Sequence, residues 1–343
     1  VALGIGKIYQ GWDQDPNRGA MAIENGQFGE SYSTPIYLEQ GWKESESLWF
    51  YNTTQGSALL PYDLFIALEQ ENSKELFRSD ANIDKYRYLP QHKTFFNPDA
   101  LPVGFVKEPY QGKDYIGYTC AACHTGQVNY QGQAIRIDGG PAMSDMVGFL
   151  KALDTSMQTT LKQDDKRNRF VKAVLELENN YDTEDDVVAD LKLWGDKITL
   201  YNTVNHSDLE YGYARLDAFG RIFNRVLEHV INRRQLEIIF LNTTDENGHR
   251  LLTPEQVELA LTGADKTIIG STEAAKIMSR LMSTEPGYPG LDVDDILLIR
   301  DRIYNEPNAP VSYPFLWDIA QSDYVQWNGL ANNAGVGPLG RNA

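Results

Sequence analysis

Apolar positions along this chain recur mostly at helical spacing, with a few short alternating runs between them. Leu60-Pro61 opens a short helix with Leu64, Phe65 and Leu68 on one side. Pro61 sits near its first turn, where a missing N–H costs little. After Gly139-Gly140-Pro141, the residues Met143, Met146, Leu150 and Leu153 form the stripe of an amphipathic helix running to about residue 153. Further helices are predicted over residues 165–179, through Phe170, Val171, Val174, Leu175 and Leu177, and from Thr183, which pairs with Asp186 in the manner of a capping box. The widest apolar face is Leu216, Phe219, Phe223, Val226, Leu227 and Val230, predicting one long helix between residues 212 and 234. Thr253-Pro254-Glu255-Gln256 reads as cap, proline, acid, a good helix start. Asp292, Asp294 and Asp295 open a last helix to about residue 304, a favourable place for acids at the positive end of the dipole.

Between these helices the pattern changes. Residues 127–130 and 133–138 alternate around Gln131-Gly132, which predicts a small β-hairpin. The first forty residues show little periodicity and read as an irregular arm. Residues 88–110 carry Pro90, Pro98, Pro102 and Pro109 and read as extended loop. Asp245-Glu246-Asn247-Gly248 hints at a calcium loop, but Pro254 falls where a bidentate glutamate belongs, so calcium is rejected. The tail from Pro310 to Gly329 is aromatic and loop-like, and Gly335, Gly337, Pro338 and Gly340 read as a linker.

Charge narrows the partners. The 343 residues hold 31 basic and 48 acidic side chains, a net charge of −17. Phosphate backbones would be repelled, which argues against nucleic acid, and an anionic membrane surface is equally unsuited. A partner protein with a basic face would be drawn in, the more so at low salt. No apolar run approaches the ~20 residues of a membrane span, so no transmembrane segment is expected. The sequence starts at Val1, without an initiator Met or signal peptide, which suits a processed form.

Chemistry concentrates in one stretch. Tyr118-Thr119-Cys120-Ala121-Ala122-Cys123-His124-Thr125-Gly126 holds both cysteines of the chain, with a histidine directly after the second. Cys-x-x-Cys-His is the attachment pattern of a c-type haem. On one helical turn, i, i+3 and i+4 share a face. Two thiols then reach the two vinyl groups of one porphyrin while His124 offers its imidazole to the iron. A Cys120–Cys123 disulfide would need no histidine and would close too short a loop to stabilise much. A thioredoxin-like pair wants a βαβ setting, and structural zinc wants four ligands. The expectation is one covalent haem c held by Cys120, Cys123 and His124. Covalent attachment of this kind takes place outside the cytoplasm, so a periplasmic or extracellular bacterial location follows.

The expected fold is mainly α: a cytochrome-c-like helical haem domain with long irregular loops and a small β-hairpin. The expected divisions are an irregular N-terminal arm over 1–48, the haem-binding helical domain over 49–238, a helical insertion over 239–289, and a C-terminal helix, aromatic loop and linker over 290–343.

The motif and its surroundings also resemble a family. Tyr118 to Gln127, with Ile135-Arg136-Ile137-Asp138-Gly139-Gly140-Pro141-Ala142-Met143, resemble the first haem region of large di-haem c-type cytochromes. These are related to bacterial di-haem cytochrome c peroxidases and to rubber-oxygenase-type haem dioxygenases. Residues 215–225 and 310–317 are similar to further blocks of that group. Members carry a second Cys-x-x-Cys-His, and these 343 residues contain none. Either the chain is part of a longer one or the second haem is lost, and a lone haem undermines a mechanism in which one iron feeds the other.

Function then turns on the residue facing His124 across the iron. A histidine or methionine there favours electron transfer, whereas an open position admits oxygen or peroxide. His229, on the shoulder of the 212–234 face one heptad after Ile222, is the first candidate sixth ligand. His92, His206 and His249 follow, with Met143 and Met146 as thioethers whose spacing favours core packing. Arg136, Arg215 and Arg221 are candidates to hold the haem propionates through charge-assisted pairs. The oxygenase resemblance implies instead an open site lined by Phe219, Phe223 or Trp317. The aromatics Phe95, Phe96, Phe105 and Tyr110 would either wrap a haem edge or fill core. Two functions follow: a periplasmic one-electron carrier working with a redox partner protein, or a haem peroxidase or oxygenase with a labile sixth position.

Overall fold

Two hairpins built on Gln-Gly turns set the frame around the cysteines. Gln111 and Gly112 both take positive φ (49° and 79°), as do Gln131 and Gly132 (49° and 78°). Two adjacent residues with φ > 0 match the right-handed twist of the flanking strands, which is why this turn closes tight hairpins. The first turn joins β3 (Phe105–Tyr110) to β4 (Lys113–Tyr118), and the second joins β5 (Thr125–Tyr130) to β6 (Gln133–Asp138). The computed structural model describes residues 13–23, 28, 31–177, 179–264, 267–325 and 331–332. The glycine-rich end, residues 333–343, and the stretch around Trp327 lie outside the described residues.

Each hairpin gains a third strand. β1 (Thr34–Tyr37) runs parallel to β6, with Thr34 opposite Gln133 and Tyr37 opposite Arg136. β2 (Leu60–Pro61) pairs antiparallel with β4 through Leu60–Ile116 and Pro61–Tyr115. The sheet orders are β1-β6-β5 and β2-β4-β3. Pro109 is accommodated because β3 is an edge strand, where a lost donor faces no partner. A further short pair, β7 (Tyr324–Val325) and β8 (Ala331–Asn332), lies in the tail.

These strands overturn the mainly α, cytochrome-c-like expectation. The chain is an α/β fold, 40% helical and 14% strand, with both parallel and antiparallel pairing. Part of the stretch expected to be proline-rich loop is strand β3, and part of the expected irregular arm is strand β1. The cysteine motif links two sheets, where a helical haem domain was expected to carry it.

The chain divides into two compact units. Unit 1 takes residues 1–149, 211–216 and 312–343, and unit 2 takes 150–210 and 217–311. Unit 1 also contains α1 (Glu44–Asn52), α2 (Tyr62–Ala67) and α3 (Asp80–Lys85). Leu64, Phe65 and Leu68 are fully buried, as their spacing requires. An aromatic cluster fills this core: Phe105 meets Tyr88 and Tyr118 edge-on, each at 4.9 Å between centroids, and Tyr88 meets Phe149 at 5.2 Å. Edge-to-face packing is the favoured arrangement for buried rings.

Unit 2 is helical. The division falls within α4 (Met146–Lys162), and α5 (Asp164–Leu175), α6 (Glu184–Val204), α7 (Gly220–Glu228), α8 (Arg233–Asn242), α9 (Pro254–Ala260), α10 (Ser271–Met282) and α11 (Val293–Arg300) follow. Capping boxes at Thr183/Asp186 and Thr253/Gln256 form as their sequences specify. Helices α8 to α11 share one core around Leu236, Phe240, Leu261, Ile277 and Ile299. The single helix expected over 212–234 is broken twice. Asp217 Oδ1 accepts from the N–H groups of Phe219 and Arg221, at 3.0 and 2.8 Å, and so starts α7. Asn232 and Gln235 then form a capping box that starts α8. Local side-chain bonds to backbone N–H groups outcompete helix continuation here. Likewise α4 starts at Met146 rather than just after Pro141, leaving Met143 exposed ahead of it. Among the described residues no helix is long and apolar enough to cross a membrane.

Candidate functional site

The cysteine motif sits where β4 ends and β5 begins, in unit 1. Thr119 takes an extended conformation and its hydroxyl accepts from Ala121 N–H at 3.2 Å, capping a 3₁₀ turn at Cys120–Ala122. Cys123 N–H and His124 N–H both donate to the Cys120 carbonyl, at 3.2 and 2.9 Å. The two thiols and the imidazole therefore come from one helical turn, as the spacing requires.

The backbone around this turn is tied on every side. Thr119 N–H donates to the Gly104 carbonyl at 2.8 Å, Gly139 N–H to that of His124 at 2.8 Å, and Ala142 N–H to that of Cys123 at 3.0 Å. Gly104 has φ +77°, and a Cβ there would stand 2.0 Å from Ala122 N. Only glycine allows that approach.

The side chains differ in environment. Cys120 is exposed, with its N–H donating to Gln55 Oε1 at 3.0 Å and its thiol to the same oxygen at 3.2 Å. Cys123 is partly buried, and both thiols are free. Burial, with the neighbouring Cys120 second, pushes the Cys123 thiol up to about 12. A redox-active Cys-x-x-Cys pair shows the reverse shift, toward thiolate.

His124 is half-buried, and its Nδ1 lies 2.7 Å from the carbonyl oxygen of Pro314. A carbonyl only accepts, so Nδ1 carries the proton and Nε2 carries the lone pair. Burial lowers the imidazole's affinity for a second proton, and the Pro314 carbonyl opposes that only in part. The result is an imidazole that burial keeps from taking a second proton, with its lone pair on Nε2. Metal-ligating histidines are oriented by this kind of hydrogen bond.

Pro314 is held to the same corner by its neighbours. Leu316 N–H donates to the Gly139 carbonyl at 2.8 Å, and Trp317 Nε1–H to the Asp138 carbonyl at 3.1 Å. Phe315 and Trp317 stack at 5.6 Å between centroids and stay about half exposed. Beneath them Asp138 is buried, accepting from Ser47 Oγ at 2.7 Å and from the Tyr51 hydroxyl, with Arg18 at 3.5 Å.

These features fit a haem. The site offers two thiols on one turn, one oriented imidazole nitrogen, and an exposed aromatic surface beside it. Among the described residues no three histidine, cysteine, aspartate or glutamate side chains converge to hold a bare ion.

The other expected site residues scatter. Arg136 is buried in unit 1, with Nε and Nη2 on Gln127 Oε1 at 3.3 and 2.8 Å and Nη1 without a partner. Arg215 is exposed in unit 1. Arg221 belongs to unit 2, where its Nη1 donates to the Tyr201 hydroxyl at 3.0 Å. His229 caps the end of α7 in unit 2 and is exposed. His92 Nε2 sits 2.9 Å from Asp15 Oδ2, and His249 Nδ1 is 3.4 Å from Asp245. Of the loop aromatics, Phe105 is core, whereas Phe95, Phe96 and Tyr110 are exposed. Sequence reasoning missed Gln55 and the Pro314 carbonyl, and a backbone carbonyl carries no side-chain signature that could have revealed it.

Comparison with known proteins adds one relative. Over 227 residues the chain is 31% identical to an uncharacterized protein of Sinorhizobium fredii (strain NBRC 101917 / NGR234), y4iJ, a match covering 57% of this chain. The chain spans only 37% of the length of that relative. No family model matches the chain, and no solved structure matches it.

Proposed function

We propose that Cys120, Cys123 and His124 carry one covalent haem c and that the protein performs one-electron transfer outside the cytoplasm. The observation that carries this reading is the bond from His124 Nδ1–H to Pro314, which leaves Nε2 as an oriented axial donor beside two unpaired thiols. Cys120 and Cys123 would hold the group through thioether bonds, each S–H adding across a vinyl double bond, and so would have to be reduced thiols beforehand. When bound, the group supplies a reversible one-electron iron couple.

This chain's residues would then do three things. His124 would offer its Nε2 to the iron, Phe315 and Trp317 would offer an apolar surface beside it, and Gln55 holds the exposed Cys120. Arg136 and Arg215 share the unit of the motif and remain the candidates for propionates; Arg221 and the candidate sixth ligand His229 belong to unit 2. A redox partner with a basic face suits the net charge of −17. The resemblance to di-haem c-type cytochromes belongs to this proposal, and it brings a second reading. His92 is engaged by Asp15, so an open sixth position, with peroxidase or oxygenase chemistry, is the alternative.

The test is maturation in a host that attaches haem c. The expected product keeps one haem through denaturing electrophoresis, and Cys120→Ala with Cys123→Ala releases it. A protein that emerges with a Cys120–Cys123 disulfide or with zinc overturns the reading. On the loaded protein, a spectrum insensitive to carbon monoxide and peroxide assigns the carrier, and one that responds assigns the enzyme.

A further inference from the structure

Unit 2 encloses a second site that does not depend on the haem reading. Between α6, α8, α10 and α11 lies a half-open cavity of about 80 Å³, walled mainly by aliphatic and aromatic side chains such as Leu200, Phe240, Ile277 and Leu281. Protein interiors are close-packed, and an unfilled space of that size is destabilising unless something occupies it. Water is a poor occupant, because it needs several polar partners and apolar cavities stay dry.

Five polar residues interrupt the lining: Thr203, Glu228, Ser271, Arg300 and Tyr304. Arg300 ends α11 and is 6% exposed. Its Nε stands 3.0 Å from Asp301, whose own side chain is 59% exposed, and its Nη1 is buried without a hydrogen-bond partner. A cation at a helix C-terminus is favourable, yet that accounts neither for its burial nor for the unpartnered nitrogen. The acid among the lining residues is already taken: Glu228 accepts from Arg225 Nη1 at 2.6 Å. Tyr304 keeps its proton, held by burial and by the Glu228 charge, and so remains a donor.

We propose that this cavity binds a small monocarboxylate, with an apolar body of roughly three to five carbons in the void and its carboxylate on Arg300. A guanidinium with a spare donor in apolar surroundings is matched best by one carboxylate, because a neutral amide of the same shape accepts the hydrogen bond without the opposite charge. Glu228 sets the specificity, because a second carboxylate on the ligand would be driven against it.

The experiment titrates the full chain with pentanoate, pentanamide and pentanedioate, followed by calorimetry and thermal denaturation. Pentanoate is expected to bind saturably, with pentanamide and pentanedioate at least tenfold weaker. Arg300→Gln should weaken pentanoate at least tenfold and leave pentanamide unchanged. Ala274→Leu, which fills the void from α10, should abolish pentanoate binding while circular dichroism stays that of the parent. Should Arg300→Gln not fold, the pentanoate–pentanamide comparison on the parent chain decides alone. Absence of saturable binding, equal binding of the amide, or binding that survives Ala274→Leu overturns the proposal.

Discussion

His124 donates its Nδ1–H to the carbonyl oxygen of Pro314 at 2.7 Å, across 190 residues of chain. The bond selects one tautomer of a ring that burial keeps neutral, and so aims Nε2. His124→Gly removes donor and ligand together while leaving the thiols in place. Loaded with haem, that variant should keep its covalent group but lose the axial histidine spectrum, and added imidazole should restore it. An unchanged spectrum in the variant would show that the imidazole is no ligand.

Gly104 holds the floor of the same turn. Its φ of +77°, and the 2.0 Å that would separate a Cβ from Ala122 N, leave no room for a side chain. Gly104→Ala combines left-handed strain with overpacking, at a cost of about 2–4 kcal/mol. Urea unfolding of the protein without haem measures it, and a change below about 0.5 kcal/mol would contradict the close approach.

Asp138 is a buried acceptor for Ser47 and Tyr51 and a partner for Arg18. Asp138→Ala leaves a buried guanidinium and two hydroxyls uncompensated, which costs about 3–5 kcal/mol. Because the Asp138 carbonyl also accepts from Trp317, the loosened strand should raise solvent access to that ring. Tryptophan fluorescence quenching reads this alongside stability.

Asp154 contributes a pH dependence to unit 2. Burial raises its carboxyl above the usual 3.8, although Thr199 and Asn202 donate to it and oppose the shift. Between 3.8 and the higher folded value the folded chain binds more protons than the unfolded one, so this group's stability contribution declines as pH rises. The contribution is whole below 3.8 and gone above the folded value. Asp154→Asn should therefore flatten the fall in stability that begins above pH 3.8, measured by urea unfolding at several pH values. A slope as steep as the parent's would assign the pH dependence to other groups.

Local signals carried well through this chain. Thr183, Thr253 and Asp292 start their helices where their side chains can reach the third N–H beyond. The Gln131-Gly132 hairpin forms, because two residues decide that turn. The same logic was available at Gln111-Gly112, where Pro109 obscured it. An edge strand tolerates the proline, and edges are defined only once the sheet is assembled. The broken 212–234 helix shows the opposite limit. Its apolar spacing is continuous, yet Phe223, Val226 and Val230 end half exposed, and Asp217 and Asn232 interrupt the backbone.

The sequence by itself determined the chemistry of the candidate site, since two thiols and an imidazole at i, i+3 and i+4 need only one turn to share a face. Tertiary structure alone decided that the turn joins two sheets, and that Pro314 rather than a nearby residue orients His124. It also decided that Arg300 is buried beside an apolar void. The physical reason is range: spacing within a turn is fixed by backbone geometry, whereas strand partners, carbonyl acceptors and cavities arise between segments that the chain order does not bring together.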